Sequence, residues 1–122
     1  MGQHQMPLPD LVVQSGQTIS NILLATGAPT APNMVTTGDG FRDADSITIF
    51  APDTLPETAT VNVDSAEAGV NMDPLQRGGA DVTIAAGKAV TIELLSIKAL
   101  EIVLSGAAGA TRTFKVVKNV WV

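Results

Sequence analysis

The strongest constraint on this chain is a period of two. In its last third, apolar and polar residues alternate in short runs, and each run stops at a turn signal. Val82 and Ile84 alternate within 81–85, and Val90, Ile92 and Leu94 alternate with Thr91 and Glu93 within 88–95. Leu100, Ile102 and Leu104 share one side within 99–105, and Phe114 and Val116 share one within 111–117. Successive side chains of a strand point to opposite faces, so such runs build strands with one wet face. Ala86-Gly87 and 106–110 punctuate them.

Earlier in the chain the same reading continues less regularly. Ile47 and Ile49 within 46–50, and Val61 and Val63 within 58–63, predict two strands forming a hairpin with a long, Pro-containing connection. Residues 17–25 fit neither period well, since Ile19, Ile22 and Leu23 have helical spacing in a stretch too short for a helix. Residues 26–40 read as a long loop or a weak edge strand around 34–36, and 64–80 as a second irregular stretch holding Asp73-Pro74 and Gly78-Gly79. Residues 1–14 read as an extended arm with Pro7 and Pro9, leaving 15–122 as the domain. The expected fold is all-β: an antiparallel β-sandwich or jelly-roll-like barrel of about seven to nine short strands, with an extended N-terminal arm.

Composition narrows the chemistry. The chain of 122 residues has no Cys and one His, which excludes disulfides, thiolate metal sites and multi-His metal sites. It carries 12 acidic and 7 basic residues and four aromatics, a poor basis for binding nucleic acid. No apolar run approaches the ~18 residues of a membrane span. Residues 1–9 lack the basic and apolar regions of a signal peptide, and Met6 stands where myristoylation expects Ser or Thr. Charge is uneven: residues 1–80 hold nine acids and two bases, and 81–122 hold three acids and five bases. Either the fold gives the protein an acidic and a basic side, or it interleaves the two parts and cancels them.

Candidate chemistry is sparse. Asp39, Asp43 and Asp45 could hold Ca²⁺, but their spacing is not that of an EF-hand loop and Arg42 opposes a cation, so a solvated loop is expected. Glu93 and Glu101 fall on strands that are neighbours in sequence, on the face opposite the apolar set, and read as surface charges. A Ser-His-Asp triad would depend on His4 in the arm, and no phosphate-binding glycine motif is present. Trp121 could close the core, pack at an interface or serve as a sugar platform. No catalytic residue, metal or cofactor is expected.

The order of segments resembles small virion proteins of tailed bacteriophages. The segments are Ser15-Gly-Gln-Thr-Ile-Ser20, the stretch from Thr48 through Pro52 and Leu55 to Val63, Asp81 to Val90, and Leu100 to Val116 with Arg112-Thr-Phe114. The likeness spans about residues 11–117, and its motifs are structural. The 64–80 stretch departs from it in lacking aromatic residues. The resemblance implies a capsid decoration (cement) protein on the outer head surface at capsomer junctions, commonly a homotrimer, whose partner is the major capsid protein. It would be made in the host cytoplasm and have no membrane or nucleic-acid partner. Met6, Pro7, Leu8 and Leu11 of the arm, Phe41 and Arg42 of the 26–45 stretch, Arg77 of the 64–80 stretch and Trp121 are the expected partner-binding residues. The alternatives are another virion part on the same fold (head-fibre base, neck or tail) and a host-surface carbohydrate-binding module.

Overall fold

The computed structural model describes residues 3–25, 32–36, 40–65, 72–93 and 97–121. Its strands are β1 (Gln3–Val13), β2 (Ile22–Leu24), β3 (Met34–Val35), β4 (Ser46–Phe50), β5 (Ala59–Asp64), β6 (Asp73–Pro74), β7 (Gln76–Arg77), β8 (Ala80–Asp81), β9 (Thr83–Ile84), β10 (Ala89–Glu93), β11 (Ala99–Leu104) and β12 (Arg112–Trp121). The fold is all-β, with no helix among the described residues. The count exceeds seven to nine because five of the strands are two-residue pieces: β3 within 26–40, β6 and β7 within 64–80, β8 across the end of that stretch and β9 within 81–85.

Two sheets form a sandwich. The first has the order β1-β12-β4-β10 and is antiparallel throughout. The second has the order β3-β2-β11-β5-β6, with β9 also on β5, and only its β2–β3 pair is parallel. Their inner faces meet in one core, where Leu11, Ile47, Ile49, Ile92 and Phe114 pack with Leu23, Val61, Leu100 and Ile102. All but Leu11 and Leu23 are residues the alternation places inward. The hairpin expected of 46–50 and 58–63 does not form. β4 and β5 lie in different sheets, and the 51–58 connection crosses between them with Leu55 buried.

The extended N-terminal segment is β1, the edge strand of the first sheet. It pairs with β12 from Gln3 opposite Trp121 to Val13 opposite Arg112. An edge tolerates Pro7 and Pro9, because one side of the strand has no ladder to lose. Leu8 stands opposite Val116 and Leu11 opposite Phe114, so three steps on β1 match two on β12. A regular strand would turn Leu8 and Leu11 to opposite faces; the β-bulge turns both inward, and both are buried. Asn21 satisfies backbone groups beside it. Its Oδ1 accepts the Val12 N–H at 2.7 Å and its Nδ2 donates to the Asp10 carbonyl at 3.1 Å.

Residues 40–45 close one end of the sandwich. Gly40 has φ 62°, and a Cβ there would collide with the Ala25 carbonyl. Phe41 donates its N–H to that carbonyl at 3.0 Å and sends its ring into the core. Lys118 lies on the inward side of β12, and its Nζ donates to the Gly40 carbonyl at 3.0 Å and to Asp43 Oδ1 at 2.9 Å.

The strand order interleaves the acidic and basic parts of the chain. β12, β10 and β11 from the last third alternate with strands from the first two-thirds. Arg112–Glu57 at 3.0 Å, Lys115–Asp10 at 3.2 Å and Lys118–Asp43 at 2.9 Å each join one part to the other. Of the two arrangements open to the sequence, this is the cancelling one.

Gly40→Ala combines a left-handed backbone with a steric collision, and a cost of about 2 kcal/mol is expected. Thermal unfolding followed by circular dichroism should show a fall in Tm of roughly 5–10 °C. An unchanged Tm would mean that the 40–45 closure does not hold this geometry in solution.

Candidate partner-binding surface

The residues predicted to meet a partner divide into two groups. Leu8, Leu11 and Phe41 are buried in the core, so they are corrected from contact residues to packing residues. The bulge explains the first two, and the turn at Gly40 explains the third. Met6, Pro7, Arg42, Arg77 and Trp121 are exposed. Met6, 40% exposed, stands opposite Lys118, whose amine is held by residues 40–45, and Trp121 donates its N–H to Asp45 Oδ2 at 3.1 Å. Met6, Arg42 and Trp121 therefore lie towards the end of the sandwich closed by 40–45, Met6 on the inward and Trp121 on the outward face of the first sheet, with Pro7 beside Met6 on β1. Arg77 lies elsewhere: its Nη2 donates to the Thr91 carbonyl at 2.9 Å, on β10.

A groove of about 630 Å³ opens where the edge of the first sheet approaches the edge of the second. Val12, Ile19 and Val35 supply apolar wall, and Asp10, Gln14 and Asn33 supply polar rim. Ile19 is 51% exposed. The β1 segment and residues 33–35 of the 26–45 stretch thus converge on one surface. Sequence reasoning missed Ile19 because it sits in the stretch with neither period; it makes only an isolated bridge to Val103.

The two outer faces of the sandwich differ in chemistry. That of the first sheet carries polar Ser46, Thr48, Thr91, Glu93 and Asn119, with Phe50 and Trp121 exposed on the same side. That of the second carries an apolar cluster of Ile22, Leu24 and Ala99, packed by Met34 and Met72. This corrects the reading of Glu101. It does point away from Leu100 and Ile102, but it is only 6% exposed. Its Oε2 accepts from Asn62 Nδ2 at 3.3 Å. Burial pushes its carboxyl up, and the Asn62 hydrogen bond only partly opposes this. Glu93 is exposed on the first sheet, so the two glutamates cannot meet.

The acidic cluster is structural where it is described. Asp43 is held below the usual carboxylate range, first by the Lys118 hydrogen bond, and Glu57 likewise by Arg112, whose Nε and Nη2 reach its two oxygens at 3.0 and 3.2 Å. Asp39 and the stretches 26–31 and 66–71 lie outside the described residues. Among the described residues no three His, Cys, Asp or Glu side chains group as a metal site, and no helix is long and apolar enough to cross a membrane.

Comparison with known proteins finds no matching family model, no matching curated protein and no matching solved structure.

Glu101 gives a pH prediction. A carboxyl with a raised folded-state pKa favours folding while it is protonated, and that contribution is lost as pH rises from the ordinary Glu range through the raised value. Glu101→Gln should therefore unfold at a higher temperature than the parent at pH 8, and the gap should shrink towards pH 4. Melting curves across that range check it, and a gap that does not vary with pH would show that Glu101 titrates as a surface acid.

Proposed function

We propose that the chain is a structural phage virion protein, a capsid decoration protein that binds the outer head surface at capsomer junctions and stabilises the shell. The groove carries this reading. It is an open, apolar-walled surface on an edge strand, with Ile19 half exposed at its margin. Edge strands and exposed aliphatic patches are the parts of a β-sandwich that neighbouring subunits cover. The resemblance to small phage virion proteins supplies the partner class, the major capsid protein. It also supplies the expected trimer and the location on the virion surface. Met6 and Pro7 extend the same edge of β1 and add to the contact.

The fold suits such a part. Two sheets share one aliphatic core, and ion pairs tie β12 to earlier segments. Acidic and basic segments interleaved across the strands leave association to shape and apolar contact more than to a single charged side.

Purified protein should bind phage shells that lack it and raise the temperature at which they rupture. Ile19→Asp should weaken that binding at least tenfold while moving the protein's own Tm by no more than about 2 °C, as expected for an exposed position. Failure of the parent protein to bind or stabilise such shells would overturn the function. Unchanged binding by the Ile19 variant would overturn the groove as the contact.

A further inference from the structure

The outer face of the first sheet carries a row of side chains that neither the core nor the groove uses. Gln5, Asn119, Ser46 and Glu93 stand opposite one another across β1, β12, β4 and β10. Residues paired in this way share a face, and neighbouring strands are ~4.8 Å apart, so the row crosses about 14 Å. Asn119 is only 3% exposed. Its Nδ2 donates to Ser46 Oγ at 2.9 Å and to Thr48 Oγ1 at 3.0 Å, and its Oδ1 has no protein partner. Buried acceptors are nearly always paired, so an orphaned one in a row of polar side chains marks a place where a donor is missing. The longer Gln5 and Glu93 side chains at the two ends of the row are exposed.

Trp121 stands two residues beyond Asn119 on the same face and is 65% exposed. Its backbone is fixed on both sides, by pairing with Gln3 in β1 and by the hydrogen bond to Asp45 at 3.1 Å. A large indole displayed from an ordered backbone is an unusual use of a residue that is normally well buried.

An exposed indole beside amide, hydroxyl and carboxylate groups matches the two faces of a pyranose. Its C–H face stacks on an aromatic ring, and its hydroxyls both donate and accept. We propose that this face binds a neutral glycan. Trp121 is the stacking platform, Asn119 Oδ1 accepts a sugar hydroxyl, and Gln5 and Glu93 pair with further hydroxyls. Glu93 disfavours acidic sugars. The row meets β1 at Gln5, whereas the groove meets it at Asp10 and Val12.

Trp121 is the chain's only Trp, so its fluorescence reports directly on the site. The intact protein is titrated with maltohexaose, cellohexaose and mannohexaose and screened on an array of neutral glycans. A saturable change in emission with a neutral glycan is expected. By calorimetry, Trp121→Ala should weaken that binding at least tenfold and Gln5→Ala several-fold, both with the parent Tm, while Ile19→Asp should bind the glycan like the parent. Flat titrations with no neutral glycan retained on the array would overturn the proposal, as would Trp121→Ala binding like the parent. Loss of shell binding in Trp121→Ala with no glycan binding by the parent would also overturn it, assigning the face to a protein contact.

Discussion

The fold depends on β12 lying between β1 and β4. Every other arrangement in the first sheet follows from that pairing: the edge position of β1, the bulge that admits both Leu8 and Leu11, and the placement of β4 for β10 to join. β12 also carries Arg112, Lys115 and Lys118, each joined to an acid far earlier in the chain. These pairings have very long sequence separations. Loop-closure entropy is therefore spent before contacts form, which places this topology among slower-folding domains. The inward face of β12 contributes Phe114 and Val116 to the shared core that offsets this cost.

Where one face of a strand is buried, the sequence shows it. Val82, Ile84, Ile92, Leu100, Ile102, Leu104, Phe114 and Val116 alternate along the chain and are all buried. Pairing partners were not legible, because alternation says which side is inward and nothing about which strand lies next door. Thus β4 and β5, neighbours in sequence, went to different sheets. The bulge at β1 was not legible either, since Leu8 and Leu11 break the period unless an extra residue is inserted. Phe41 looked like a loop aromatic because its burial follows from a left-handed glycine and a carbonyl sixteen residues away.

The surface was read less well than the core, for a related reason. A polar residue in an alternating strand is assigned to solvent by default, yet the outer face of the second sheet is apolar enough to bury Glu101. Lys118 breaks the rule in the other direction. It sits on the inward face and is accommodated only because residues 40–45 bring a carbonyl and a carboxylate to its amine. Trp121 could have served as core, interface or platform on sequence grounds, and its exposure removes the first. Asn119 carried no signal at all, because its significance lies in strands that meet it from far away in the chain.

Gln3 and Trp121 are register partners at one end of the β1–β12 ladder. Any chain joined before the one or after the other would leave the sandwich from nearly the same point. Tension applied across those two points would unzip the ladder one residue pair at a time, the geometry in which hydrogen bonds resist least. Load entering through the side of β1, as from a neighbour lying along it, would instead pull on many pairs together. Mechanical strength in this sandwich is therefore directional, and it is greatest for a partner that grips its flank.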